Sequence, residues 1–258
     1  MLATNNLQVN DLCVNFGGLQ AVNKVSFSLK PQSLGALIGP NGAGKTTVFN
    51  ALTGLCRVSS GQIEFGNEHI ANQPAHYIAR RGIARTFQNI RLFKNLTVLD
   101  NLRIAYHQNR QYPLLSAIFL TTKFRQEEKQ ITAKAEEALS LVNLSERSQS
   151  LAGSLPYGEQ RRVEIARALM LNPHLLLLDE PAAGMNPQET QTLLQLIRDL
   201  RDNLKLSILL IEHDMKLVMN LCEELFVLDY GQLIAAGCPK TVQNDPRVIQ
   251  AYLGGKTA

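Results

Sequence analysis

The first third of the chain alternates apolar and polar positions with the period of a half-buried strand. Leu7 and Val9, then Leu12, Val14 and Phe16, and again Val25, Phe27 and Leu29 repeat every second residue. Gly17-Gly18 and Pro31-Gln32 punctuate these runs as turns. The pattern then tightens. Leu34, Ala36, Leu37 and Ile38 form a nearly unbroken apolar run, as in a strand buried on both faces, and Val48, Phe49, Ala51 and Leu52 follow at helical spacing. A short strand is predicted over 62–65 and a helical patch over 75–81.

Between 96 and 144 the pattern is helical and more polar, and 123–144 carries Glu–Lys spacings that suit an exposed helix. Tyr112-Pro113 interrupts it. Beyond this region, strand runs at 175–178, Ser207–Ile211 and 225–228 alternate with helical patterns at 188–201 and 215–220. Such alternation predicts an α/β fold: a mostly parallel central sheet covered on both faces, with antiparallel strands at the N-terminal end. The expected organisation is one domain over 1–258. Its core would occupy about 1–95 and 172–258, with a helical subdomain inserted at about 96–171.

Composition adds limits. At 258 residues, with 45% apolar and 19% charged, the chain can bury a sizeable core without disulfides or metals. The net charge of +4 is mild and not gathered into a block, so no nucleic-acid partner is implied. Arg80, Arg81, Arg85 and Arg91 make one local cluster, read as a solvated face or a contact with an acidic partner. Cys13, Cys56, Cys222 and Cys238 lie far apart without ligand spacing, which fits idle thiols in a reducing compartment. No secretory signal is readable in Met1 to Asn10. The longest apolar run, 113–120, falls short of the roughly 20 residues a membrane span needs. For work at a membrane, another chain must do the spanning.

The chemistry concentrates in three places. Gly39-Pro40-Asn41-Gly42-Ala43-Gly44-Lys45-Thr46 matches the phosphate-binding loop in its required strand–loop–helix setting. Its glycines let successive N–H groups point inward, and these groups with the helix N-terminus cradle phosphates. Lys45 adds a cation for the β- and γ-phosphates, Thr46 a hydroxyl for Mg²⁺, and Thr47 completes the candidate set. Leu175-Leu176-Leu177-Leu178-Asp179-Glu180 is a buried strand ending in two acids, where a parallel sheet collects its ligands. Asp179 can sit near Mg²⁺, and Glu180 can orient and polarise water toward the γ-phosphate. His213, just past another strand, falls on the same rim and can donate a hydrogen bond to a phosphate oxygen.

Five ordered motifs carry a resemblance over nearly the whole chain. They are residues 39–46, Gln88 in Arg85-Thr86-Phe87-Gln88, Leu155-Pro156-Tyr157-Gly158-Glu159-Gln160-Arg161-Arg162, Leu177-Leu178-Asp179-Glu180-Pro181 and Glu212-His213-Asp214. Together they resemble the phosphate-loop nucleotide-binding subunit of ATP-binding-cassette proteins. Phe16-Gly17-Gly18-Leu19-Gln20-Ala21-Val22, Arg85 through Phe93, Pro181 through Pro187 and the tail 248–254 are similar to the branched-chain amino-acid importer group.

The resemblance implies roles. Phe16 stacks on adenine, Gln88 reaches Mg²⁺ and the attacking water, Glu180 is the catalytic base and His213 the switch histidine. The signature segment, with Pro156, Tyr157, Gly158 and Glu159, would bind the γ-phosphate held by a second ATPase subunit, identical or related. A helix N-terminus there suits an anion. Pro156 replaces the usual serine, so a hydroxyl contact is missing and weaker ATP-driven closure is expected. Tyr157, Glu159 and Asn186 also depart from the commoner residues, in ways that fit the branched-chain group.

The implied protein is an ATP- and Mg²⁺-dependent ATPase on the cytoplasmic face of the inner or plasma membrane. Its implied partners are integral membrane permease subunits and, indirectly, a substrate-binding protein. Urea or amide import and lipopolysaccharide export are alternative cargoes, and a soluble cassette in macromolecular assembly is the alternative of another class.

Overall fold

The computed structural model describes residues 5–106, 119 and 121–253. Tyr112-Pro113, most of the 113–120 run and the last tail residues lie outside them. The chain divides into two compact units. The first comprises the chain up to Arg85, His174–Pro181 and the part from Ile197 onward, and the second comprises Thr86–Pro173 and Ala182–Leu196.

In the first unit, β1 (Leu7–Phe16) and β2 (Leu19–Leu29) form the predicted hairpin around Gly17-Gly18. With β4 (Ser60–Phe65) and the two-residue β5 (Glu68–His69) they make an antiparallel sheet in the order β2-β1-β4-β5. The second sheet has the order β10-β9-β3-β8-β7-β6. It contains β3 (Leu34–Ile38), β6 (Ile83–Arg85), β7 (Leu175–Asp179), β8 (Ser207–Ile211), β9 (Glu224–Asp229) and β10 (Gln232–Gly237). Its pairings are parallel except β9–β10.

The reason for parallel pairing is visible in β7. Leu175 to Leu178 are all fully buried, yet only Leu175 and Leu177 join the apolar cluster with Leu7, Val9, Phe27, Val48 and Phe49. Leu176 and Leu178 point to the opposite face, as a period of two demands. A strand buried on both faces can spare polar residues only at its end, and Asp179 stands there. Helices α1 (Lys45–Leu52) and α2 (Ala75–Arg80) follow β3 and β5.

In the second unit, α3 (Val98–Ala105), α4 (Thr122–Leu141) and α5 (Tyr157–Leu169) each pack against the other two. Helix α4 buries Ile131, Ala135, Ala138 and Leu139, one stripe of a 3.6-residue period. Thr97 caps α3: its hydroxyl oxygen accepts from the Asp100 N–H at 3.0 Å and the hydroxyl donates to Asp100 Oδ2 at 2.8 Å. Arg103 Nη2 and Glu128 Oε2, 2.8 Å apart, tie α3 to α4. Helix α6 (Pro187–Leu204) begins in this unit with a capping box. Asn186 Oδ1 accepts from the Glu189 N–H, and Glu189 Oε2 accepts from the Asn186 N–H. Asn186, a departure in the sequence, thus starts a helix.

The chain closes with α7 (Met215–Leu221), α8 (Pro239–Gln243) and α9 (Pro246–Leu253), all in the first unit. Strands β5, β6 and β10 and helices α8 and α9 were not predicted. The strands are too short or too small-residued to show a period: β10 reads Gln-Leu-Ile-Ala-Ala-Gly.

Candidate functional site

The first unit gathers its chemistry at the carboxyl ends of β3, β7 and β8. From Ile38 the chain enters residues 39–46. Gly39 turns at φ 146°, and a β-carbon there would lie 2.0 Å from the Leu228 carbonyl oxygen, so only glycine lets the loop pass β9. Gly44, at φ 100°, starts α1, and its missing side chain admits the Ala21 carbonyl. Outside the loop, Gly231 N–H donates to the Ala43 carbonyl at 3.0 Å and Asn23 N–H to the Gly231 carbonyl at 2.7 Å.

Lys45 is the first residue of α1, and its ammonium turns back over the loop. It donates to the carbonyl oxygens of Gly39 at 2.8 Å and Pro40 at 2.9 Å. Burial pushes its pKa below the ordinary lysine value, while the carboxylates of Glu180 and Asp179 act in the opposite direction. Asn41, Gly42 and Thr46 are exposed, Thr47 is half-buried and Ala43 is buried.

Strand β7 delivers Asp179 as its last residue. Glu180 follows in the left-handed region at φ 45°, with its N–H donating to the Ile211 carbonyl at 3.0 Å. That conformation costs a non-glycine residue about 1–2 kcal/mol. It turns Glu180 off the strand line at the sheet rim, a strain of the kind that clusters at functional sites. His213 lies two residues past β8, more than half exposed, with Nδ1 3.8 Å from Glu180 Oε2 and 4.0 Å from Glu212 Oε2. These distances are too long for hydrogen bonds.

Phe16 is 51% exposed and faces Leu19 across the end of the β1–β2 hairpin. A core position for this aromatic is therefore excluded. Ala21, two residues beyond Leu19, is the residue that meets Gly44, so this end of the hairpin borders the loop. The loop also borders a depression of about 880 Å³ lined by Tyr230 and Tyr252. Burial pushes the Tyr252 phenol up to about 12.

The donor set fits nucleotide and Mg²⁺. A helix N-terminus, a buried ammonium and open backbone at Gly42 suit phosphates. Among the described residues no group of three or more His, Cys, Asp or Glu could hold a metal ion. Mg²⁺ uses one or two carboxylates and takes its other oxygens from water and phosphates, a demand that Asp179 and the Thr46 hydroxyl can meet.

Gln88, Pro156, Tyr157, Gly158 and Glu159 belong to the second unit. Pro156 caps α5 at φ −53° and ψ 153° with no side-chain hydrogen bond. The Tyr157 hydroxyl accepts from Arg161 Nη2 at 3.2 Å, so it is engaged within its own helix. Glu159 lies 3.5 Å from Arg147. Pro156, Gly158, Glu159 and Asn186 line a depression of about 320 Å³. Arg161 is fully buried: it donates to Glu164 Oε2 at 2.7 Å, the Phe87 carbonyl at 2.6 Å and the Gln88 carbonyl at 2.7 Å. Glu164 Oε1 accepts from the Phe87 N–H at 3.3 Å. One buried ion pair thus holds the backbone that carries Gln88.

The arginine cluster of the sequence is not one surface. Arg81 pairs with Glu68 at 2.7 Å and Arg91 lies over the Phe87 ring at 4.1 Å. The Arg85 side chain is only 5% exposed and pairs with Asp179 at 2.8 Å. Proximity in sequence misled here, because residue 85 ends β6, which pairs with β7 and so brings Arg85 to Asp179. Arg161 and Glu164 were missed as a unit; their i, i+3 spacing on one helix was the available signal.

Fold and site define a nucleotide-binding cassette. The model of the ABC transporter family matches residues 22–183, and that of the branched-chain amino acid ATP-binding cassette transporter matches 232–258. The chain belongs to the ABC transporter family. It is 47% identical over 248 residues to the high-affinity branched-chain amino acid transport ATP-binding protein LivG of Escherichia coli strain K12, covering 96% of this chain and 97% of that one. Identity and coverage are the same for BraF of Pseudomonas aeruginosa, another high-affinity branched-chain amino acid transport ATP-binding protein. The lipopolysaccharide export system ATP-binding protein LptB of Haemophilus influenzae is 36% identical over 248 residues, covering 96% and 97% of the two chains. Among solved structures, a nucleotide-free ATP-binding cassette from an ABC transporter superposes with TM-score 0.84 at 33% identity, over 95% of this chain and 98% of that one.

Proposed function

We propose that this chain is the ATP-hydrolysing subunit of a membrane importer for branched-chain or other hydrophobic amino acids. The observation that carries the reading is the convergence of Lys45, Asp179, Glu180 and His213 on one rim of a parallel sheet. The cargo rests on the 47% identity to LivG and BraF over nearly the whole chain.

In this reading Phe16 stacks on the adenine, and the N–H groups of 39–47 with Lys45 bind the phosphates. Thr46 and Asp179 would hold Mg²⁺, which when bound neutralises charge developing on the phosphate oxygens. Glu180 orients a water and accepts its proton, and His213 donates a hydrogen bond to the terminal phosphate. Gln88, its carbonyl held by Arg161, would couple nucleotide state to a partner protein. Residues 156–159 present the N-terminus of α5 to the nucleotide of a second ATPase subunit, so turnover needs a pair of cassettes. The membrane-spanning step falls to permease subunits: no described helix is long and apolar enough to cross a membrane. A shallow depression of about 430 Å³, with Phe93 and Ile104 exposed between Arg91 and Arg167, offers those subunits an apolar seat on the second unit. In this reading the protein works on the cytoplasmic face of the membrane, held there by its permease partners.

The test uses the Glu180→Gln protein, expressed in its own cells and purified from membranes with ATP. Two multi-span permeases, a second cassette and an amino-acid-binding protein are expected with it. A lipid-export permease pair would change the cargo, and purely soluble partners would overturn the transport reading.

A further inference from the structure

Arg85 has no part in the mechanism above, yet it is among the most enclosed charges of the first unit, its side chain 5% exposed. It ends β6, which pairs in parallel with β7. Its guanidinium reaches two elements at once. Nη2 donates to Asp179 Oδ2 at 2.8 Å, while Nη1 donates to Asn50 Oδ1 at 2.8 Å and to Thr53 Oγ1 at 3.2 Å. The Thr53 hydroxyl hydrogen is committed to the Phe49 carbonyl at 2.7 Å, which leaves its oxygen as the acceptor. The guanidinium carbon also lies 5.5 Å from the centre of the Phe49 ring. Asn50 and Phe49 belong to α1, whose first turn carries Lys45, Thr46 and Thr47, and Thr53 caps it.

Among the described residues Asp179 is held through Oδ2. Its Oδ1 takes no hydrogen bond among the described residues, although the side chain is just 6% exposed. A carboxylate at the end of a strand rotates freely about its side-chain bonds unless something fixes it. A planar fork whose other arm is locked to a helix fixes it firmly; a lysine, as a point charge, could not bind both partners in that geometry.

We propose that Arg85 is a positioning residue for the metal: it clamps Oδ2 of Asp179 to α1 so that Oδ1 is presented to Mg²⁺ at a fixed place relative to Thr46. The inference rests on the reading of Asp179 as a metal-holding residue. Arg85 also stands three residues before Gln88, so the clamp lies where the chain leaves the first unit for the second.

The experiment measures ATP affinity by calorimetry in EDTA and across graded Mg²⁺, together with the melting temperature, for Arg85→Met, Arg85→Lys and Asp179→Asn. With a hydrogen bond to a charged group removed, the half-saturating Mg²⁺ for Arg85→Met is expected to rise about tenfold. Its affinity in EDTA should stay within about twofold, because Asn50 and Thr53, to which Arg85 donates, lie beyond the phosphate loop; Arg85→Lys should fall between it and the parent. If Arg85→Met does not fold, Arg85→Lys carries the test. A shift in Asp179→Asn without one in the Arg85 variants overturns the clamp alone. An unshifted Asp179→Asn removes the metal role of Asp179 and the clamp with it. Equal losses with and without Mg²⁺, tracking the melting temperature, would leave Arg85 a structural residue and overturn the proposal.

Discussion

Two buried arginine–carboxylate pairs stand near the same stretch of chain and do opposite things. Arg85 and Asp179, in the first unit, join residues 94 positions apart and leave a carboxylate oxygen without a hydrogen bond among the described residues. Arg161 and Glu164, in the second, sit on one helix and spend their donors and acceptors on the backbone of Phe87 and Gln88. In the proposed reading the first pair arranges a side chain for the metal. The second arranges main chain, holding a loop where no helix or strand would. A buried charge earns its desolvation cost only when its partners are placed this well, and the contrast shows two uses of that cost.

The comparison breaks most visibly at the loop itself. Lys45→Ala removes two charge-assisted donors and should weaken ATP binding about a thousandfold, measured by calorimetry, with melting temperature little changed. Near-parent affinity would detach the loop from nucleotide. Arg161→Met should act on stability instead. Leaving Glu164 buried and unpaired costs about 3–5 kcal/mol, read from denaturant unfolding, and Arg161→Met with Glu164→Leu should recover part of it. If the single variant were as stable as the parent, the pair would not hold the Gln88 loop.

Glu180→Gln sharpens the first half of the contrast. Loss of a general base lowers turnover about a hundredfold or more while ATP binding persists; undiminished hydrolysis would remove Glu180 as the base. The smallest effect is a pH dependence in the second unit. Burial holds the Glu164 carboxyl above its ordinary range, against the pull of Arg161, the Phe87 N–H and Arg167. Between the unfolded and folded values the native chain keeps a proton that the unfolded chain has released. Stability contributed by that proton is present below the unfolded value and fades as pH rises through the folded one. Glu164→Gln should flatten this slope in unfolding curves taken across the acid range; an unchanged slope would assign it to other groups.

Much of the first unit could be read in advance because its signals are local. The period of two in β1 and β2, the all-apolar β7 ending in Asp179-Glu180, and the spacing of the phosphate loop each follow from how a short segment meets water or phosphate. His213 was legible for the same reason, as a residue just past a buried strand. Arg85 was not. Seen beside Arg80 and Arg81 it looks like surface charge, and only the pairing of β6 with β7 turns it inward. Tyr252 in the wall of the loop depression was equally invisible, since α9 reaches it across some two hundred residues of chain.

What the sequence determined alone, then, is the set of elements and the chemical groups at their ends, because backbone periodicity and turn chemistry act over a few residues. Tertiary structure decided which of those groups meet. Asp179 found Arg85, Arg161 found the carbonyls of Phe87 and Gln88, and Gly44 found Ala21, through contacts between segments far apart in sequence. Such contacts are fixed by the burial of whole faces, which no local window of sequence records.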